Sequence, residues 1–309
     1  MQPVQINGGD QINMAHLYAG TILKIDLSSG DIASEPTAAY ARAFLGGRGI
    51  NIKLFYDNIL PRVDPLGPEN VLVFGVGPLG GSSISTGRTE VTAKSPETGY
   101  LGSSNFGGFF GGELKFGGYD HLVITGSAEK PVYIWIENEH VEIRDSQSIW
   151  GRDTYQAPEL IRREVGNPEA KVACIGPAGE NLVRFASIQH EMGHGAGRTG
   201  LGAVMGSKKL KAIAVRGTHG LTLADPERFI FLAAEVKEII RGDAQVQRLS
   251  NEGLTRFDDE YIQELEARSI TFSASNDSSE LRVPSVHAIY QKFRPKRAGC
   301  YGCPVQCMD

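Results

Sequence analysis

Two stretches of this chain are dominated by glycine, and they limit what the chain can fold into. The first runs Asn105-Phe106-Gly107-Gly108-Phe109-Phe110-Gly111-Gly112 and goes on to Gly117-Gly118. The second runs Gly193-His194-Gly195-Ala196-Gly197-Arg198-Thr199-Gly200 and goes on to Gly206-Ser207-Lys208. Glycine lets the backbone take positive φ and approach a ligand closely, and successive N–H groups in such turns can cradle an anion. Neither stretch is a dinucleotide fingerprint, because the strand–GxGxxG–helix order with a trailing acid is missing. Neither has the GxxxxGK[ST] frame of a phosphate-binding P-loop. Tight turns and close packing are the plain alternative. Arg88 and Arg198, each beside a glycine, favour a bound phosphate or polar heterocycle, which suits a guanidinium fork.

The chain holds 38 glycines and only four cysteines in 309 residues. There is no G-x-y period, which excludes a collagen-like fibre, and four cysteines do not make a disulfide scaffold. A hydrophobic content of 41% allows a packed core, and the length suggests two domains. A net charge of −5 argues against nucleic acid as a partner. No apolar run reaches the ~18 residues of a membrane span, and the first residues carry no secretory signal, so the expected location is cytoplasmic.

Strands are expected at 18–26, 71–76, 88–93, 121–125, 172–175 and 211–216, with a hairpin at 132–137 and 140–143. Helices are expected at 35–45, 50–58 and 155–165, the last ending before Gly166-Asn167-Pro168. The class is therefore α+β. From Asp225-Pro226-Glu227 the texture becomes helical, with a second helix expected at 259–267. The expected division is a first domain of residues 1–216 and the start of a helical domain at 217–309. The first region also echoes itself. Gly77-Pro78-Leu79-Gly80 and Thr86-Gly87-Arg88-Thr89 are followed by Gly176-Pro177-Ala178-Gly179 and Ala196-Gly197-Arg198-Thr199, a weak sign of an internal duplication.

Three of the four cysteines form Cys300-x2-Cys303-x3-Cys307. Three thiolates this close suit a [4Fe–4S] cluster better than zinc, whose structural sites come as paired C-x2-C or with histidines; inert thiols are the remaining option. Cys174 lies in the apolar run Val172-Ala173-Cys174-Ile175 and reads as a core thiol. Arg294, Lys296 and Arg297 could raise a cluster's potential, face an acidic electron-transfer partner, or form a solvated run. No residue is singled out as general acid or base. His190 and His194 are candidates, with surface or loop packing as the alternative.

The two glycine–arginine loops and the cysteine triplet together resemble the tungsten-containing aldehyde:ferredoxin oxidoreductase family. Further matching motifs are Asp64-Pro-Leu-Gly-Pro-Glu-Asn70, Ile175-Gly-Pro-Ala-Gly-Glu-Asn181 and Gly202-Ala-Val-Met-Gly-Ser-Lys208. The resemblance implies a first domain of two related halves forming a base for the cofactor, which is tungsten, or molybdenum in some relatives, held by two pterins. It implies pterin contacts from Arg88, Asn105, Phe106, Gly107, Gly108, His194, Gly195, Ala196 and Arg198. It implies a magnesium ion bound by the backbone carbonyls of Asn105 and Gly195, and a [4Fe–4S] cluster on Cys300, Cys303 and Cys307. The implied activity is oxidation of small aldehydes to carboxylic acids, with ferredoxin or another electron-transfer subunit as partner; homodimers are common in the family. His194 stands where aldehyde oxidoreductases have arginine, and Phe106 where they have a small residue. Reduction of an aromatic acyl-CoA thioester, of the benzoyl-CoA type, is therefore the alternative activity. Family members are about twice this length, so an inactive N-terminal fragment is the other alternative.

Overall fold

A computed structural model of the chain describes residues 16–84, 87–191, 193–253 and 298–307. The helix expected at 259–267 and the basic residues Arg294, Lys296 and Arg297 lie outside them. By its internal contacts the chain divides into two compact units: residues 1–82 with 87–225, and residues 83–86 with 226–309.

The first unit begins with the hairpin β1 (Thr21–Asp26) and β2 (Ile32–Pro36), followed by α1 (Ala38–Phe44) and α2 (Arg48–Asn58). Next come β3 (Leu72–Val76), β4 (Thr89–Lys94), β5 (Leu101–Phe106), α3 (Phe110–Phe116) and β6 (Tyr119–Thr125). The same plan then repeats. Hairpin β7 (Val132–Glu137) and β8 (His140–Asp145) leads to α4 (Gln156–Val165), β9 (Lys171–Cys174), the short α5 (Pro177–Glu180), β10 (Ile188–His190), β11 (His194–Ala196), α6 (Leu201–Ser207) and β12 (Leu210–Arg216). Each half forms a six-stranded sheet, ordered β2-β1-β6-β3-β4-β5 and β11-β10-β9-β12-β7-β8. In each, one central pair is parallel, β1 with β6 and β7 with β12, and the other pairs are antiparallel.

The duplication is therefore present in the topology. The Gly-Pro loops hold equivalent places, after β3 and after β9. The two Gly-Arg-Thr elements do not: Arg88 precedes β4, whereas Arg198 follows β11. Their likeness is a coincidence of short sequence. The helix expected at 35–45 also needs correction. Residues 32–36 pair with β1 as an edge strand, and the helix starts only at Ala38.

A further correspondence lies in the irregularities of the two parallel pairs. Asp120 is the extra residue where β6 pairs β1, and Lys211 is the extra residue where β12 pairs β7. A bulge re-aims the side chain it carries, and both of these side chains are buried and ionic. Asp120 accepts from the N–H groups of Ala19 (3.0 Å) and Gly20 (2.8 Å) and faces Lys115 at 3.6 Å. Lys211 donates to the Arg152 and Ile175 carbonyls, each at 2.7 Å, and to Glu180. The two halves thus anchor the same bulge with opposite charge, and each ion has the partners a buried charge requires.

Helices α3 and α6 lie between the sheets. Helix α3 packs on β3 and β6 of its own half and on β9 and β12 of the other, and α6 packs on β10, β12 and, across the interior, β4. Phe74, Phe106, Phe110, Leu114, Ile134, Ile188, Leu201 and Ile213 meet in this central core. The outer face of the first sheet is covered by α2 through Ile50 and Leu54, and that of the second by α4 through Ala157 and Ile161. Strand β3 is buried along its whole length, which explains its unbroken apolar sequence. Helix α4 ends where the sequence suggests: Gly166 takes φ 71°, and the Asn167 N–H reaches back to the Arg162 carbonyl, a C-cap suited to glycine.

In the second unit α7 (Pro226–Gly242) is followed by α8 (Ala244–Glu252), whose N-cap Asp243 accepts from the N–H groups of Gln245 and Val246. Among the described residues no helix is long and apolar enough to cross a membrane.

Candidate functional site

The strand ladders put the two glycine segments in register. In the first sheet one rung runs Ile22–His121–Gly75–Glu90–Asn105. In the second the equivalent rung runs Tyr133–Ala212–Cys174–Gln189–Gly195. Asn105 and Gly195 therefore occupy the same position on the two edge strands, β5 and β11. These edges meet: the Arg198 N–H donates to Ser104 Oγ at 3.2 Å, and a Cβ on Gly102 would come within 2.9 Å of Thr199 Oγ1.

From this junction each chain turns through its glycine loop into α3 or α6. Phe106 contributes only backbone to the edge, since its ring is fully buried against Phe110 and His190. Gly107, Gly108 and Ala196 are also buried, Asn105 and Gly195 are half-buried, and Arg88, Gly197 and Arg198 are exposed. Among the described residues neither guanidinium has a hydrogen-bond or ion-pair partner. Gly197 has nothing within 4 Å of the place a Cβ would occupy and does not take a positive φ. Neither packing nor a turn accounts for a glycine there.

Two histidines stand behind the loops. The buried His190 donates from Nδ1 to the Val172 carbonyl at 2.9 Å and accepts at Nε2 from the N–H groups of Phe109 (3.1 Å) and Phe110 (3.2 Å). This network assigns the neutral Nδ1–H tautomer. Burial lowers its pKa to about 4 against the opposing pull of Glu191, so the 3.6 Å approach of Nε2 to Glu191 is not an ion pair at neutral pH. His194 stacks on His190 with centroids 6.4 Å apart. Its pKa is also lowered, first by burial and then by the positive charge of Arg88, with Glu191 opposing. The charge of Arg88, distant in sequence, thus acts on His194. The sequence makes His190 and His194 candidates, with surface or loop packing as the alternative, and the structure buries both rings behind the loops. The only sequence clue to their role is their four-residue spacing beside the second glycine loop.

In the second unit Cys300, Cys303 and Cys307 are partly buried thiols, and the Cys303 Sγ donates to the Val305 carbonyl at 3.4 Å. The Cys303 N–H donates to the Cys300 carbonyl at 3.1 Å, closing a turn between them. Cys303, Tyr301, Lys237 and Arg241 help line a recess of about 540 Å³. Among the described residues no three His, Cys, Asp or Glu side chains are gathered as a metal-binding group. Cys174 is buried at the β9–β12 pairing, and burial pushes its thiol up to about 12, as befits a core residue.

Comparison with known proteins gives consistent results. The model of the aldehyde ferredoxin oxidoreductase N-terminal domain matches residues 22–217. The tungsten-containing aldehyde ferredoxin oxidoreductase of Pyrococcus furiosus is 42% identical over 294 residues, covering 93% of this chain and 48% of the relative. That of Thermococcus kodakarensis is 40% identical with the same coverage. The aliphatic sulfonate oxidoreductase WOR-like subunit of Pyrococcus furiosus is 32% identical over 323 residues, covering 95% of this chain and 49% of the relative. Among solved structures, the active site complex BamBC of benzoyl coenzyme A reductase with 1,5-dienoyl-CoA has a chain that matches with a TM-score of 0.81 and 33% identity, covering 95% of this chain and 47% of that one. The chain spans about half the length of the curated relatives it matches.

Proposed function

Since the chain belongs to the aldehyde ferredoxin oxidoreductase family, we propose that residues 105–108 and 195–198 are the two seats of a bis-pterin tungsten or molybdenum cofactor. The chain would then contribute the cofactor base of an enzyme oxidising small aldehydes to carboxylic acids. The observation that carries this reading is that Asn105 and Gly195 hold equivalent rungs of the two sheets, on edge strands that meet. A ligand of two similar halves would meet the same backbone twice. Carbonyls at these two positions are the proposed ligands of a magnesium ion joining the pterin phosphates, an oxygen donor set suited to that ion.

The residues fit such a group. Gly197 leaves open space where a side chain would stand, so a planar heterocycle can approach the backbone there. Arg88 and Arg198 are exposed cations able to grip phosphate or a ring edge through two parallel N–H groups. The neutral His194 ring beside Arg88 can donate or accept one hydrogen bond without adding charge. In the second unit, the three thiols of Cys300, Cys303 and Cys307 are the donor type of an iron–sulfur cluster. The Lys237 and Arg241 recess beside Cys303 suits the negative charge of a thiolate-held cluster. When bound, the pterin-held metal supplies two-electron oxidation of the aldehyde and the cluster one-electron transfer to ferredoxin or another subunit.

The aldehyde reading is favoured over reduction of an aromatic acyl-CoA by identity, 42% to the aldehyde oxidoreductase against 33% to the benzoyl coenzyme A reductase chain. The test is anaerobic purification of the chain from cells supplied with tungstate, followed by metal and pterin analysis and an assay of aldehyde-dependent viologen reduction. Tungsten with pterin, iron with sulfide, and viologen reduction are expected. Cofactor with reduction of benzoyl coenzyme A in place of aldehyde oxidation would point to the acyl-CoA reading, cofactor with neither activity to an inactive fragment, and a chain free of pterin, tungsten and iron would contradict the seat reading.

A further inference from the structure

His190 is a fully buried polar side chain beside the two loops, and it links the two halves by hydrogen bonds. Its ring lies on β10 in the second half. Through Nδ1 it is fixed to β9 at the Val172 carbonyl, and through Nε2 it holds the Phe109 and Phe110 N–H groups at the exit of the first half's glycine loop. The ring is fully buried, with the Phe106 and Phe110 rings at centroid distances of 5.7 and 5.8 Å. Gly108 lies so close that a Cβ on it would stand 2.6 Å from the imidazole Cδ2. Loop and ring are therefore fitted to one spacing.

The corresponding rung of the first sheet carries Val91, opposite Phe74, where the second carries His190, opposite Ala173. The repeated fold does not itself call for a polar residue here. A histidine in this place meets a demand of one half only. That demand is two parallel N–H donors, presented by the other half's loop, together with one carbonyl behind.

We propose that His190 is a positioning residue that sets the distance between the two glycine loops, so that both seats engage one cofactor. This rests on the reading of those loops as cofactor seats. The side chain supplies an acceptor at its ε position and a donor at its δ position. Glutamine keeps a terminal acceptor able to reach the loop amides. Asparagine keeps a donor for Val172 but is too short to reach them.

The experiment compares His190→Gln and His190→Asn with the unaltered 309-residue chain, each produced in tungstate-supplied cells. Amide hydrogen exchange at Phe109 and Phe110 and the pterin released per chain are measured. In H190N the two amides are expected to exchange about tenfold faster, the scale of one lost hydrogen bond, and most of the pterin is expected to be lost. H190Q is expected to retain both properties. Unchanged exchange and pterin in H190N would overturn the proposal. So would fast exchange with full pterin content, which would reduce His190 to a helix cap. Should H190N fail to fold, loss of pterin from a folded H190Q would overturn it, as would nitrogen-15 NMR finding the proton on Nε2 in the unaltered chain. If the unaltered chain carries no pterin, the seat reading falls, while the exchange data still decide whether the lock exists.

Discussion

His190 and His121 are both fully buried and neutral, and this ties stability to pH. His121 donates from Nδ1 to Asn51 Oδ1 at 2.7 Å, in space that Gly75 leaves free, and among the described residues its Nε2 has no partner. Burial lowers its pKa from 6.5 to about 3, and that of His190 to about 4. In the unfolded chain both rings take up a proton near pH 6.5, whereas in the folded chain they do so only near 3 and 4. Between these limits the unfolded state binds more protons, so stability falls as pH drops. Each ring contributes up to about 1.4 kcal/mol per pH unit. Urea unfolding at pH 6 and pH 5 is expected to differ by about 2–3 kcal/mol for the two rings together, and His190→Gln should remove about half of that difference. A flat profile over this interval would mean that both rings take up a proton in the folded state, and half the expected difference that one of them does. Arg88, Asn105 and the cysteines could be picked out from motif and resemblance. His190 stands in the sequence only as a candidate without a role, because its role depends on Val172 and on the Phe109 and Phe110 N–H groups, which only the folded chain brings to it.

At the scale of elements, apolar runs such as β3, β9 and β12 could be read directly, since strands covered on both faces are apolar throughout. The elements built from glycine could not. Strands β5 and β11 and helices α3 and α6 each carry glycine where a neighbour comes close, a side chain at Gly102 and Gly195 and a backbone carbonyl at Gly202 and Gly206, and such contacts leave no mark in periodicity. Helix α6 is the clearest case. A Cβ on Gly206 would lie 1.9 Å from the Gly179 carbonyl oxygen, and one on Gly202 would lie 2.4 Å from that of Ser187. Gly206→Ala is therefore expected to destabilise the chain by about 3 kcal/mol or more in thermal or urea unfolding. Gly197→Ala, in open space, should leave stability within about 0.5 kcal/mol yet lower the pterin content. Equal stability losses at the two positions would show that Gly197 has a packing role after all.

At the scale of the whole molecule, the duplication gives the account its shape. Two copies of one strand plan bring their edge strands together, and their junction is the proposed base for a two-part ligand. The weak sequence echo pointed to this plan through its Gly-Pro loops and misled through its Gly-Arg-Thr elements, because short motifs recur without sharing a topological place. The central claim is that residues 105–108 and 195–198 are paired pterin seats. Its most direct test is amide hydrogen exchange of the 309-residue chain with isolated molybdopterin and magnesium, and without them. Protection of both segments together, weakened in each by Arg88→Ala or by omitting magnesium, is the expected result. Protection of neither segment, or protection confined to surfaces away from β5 and β11, would contradict it.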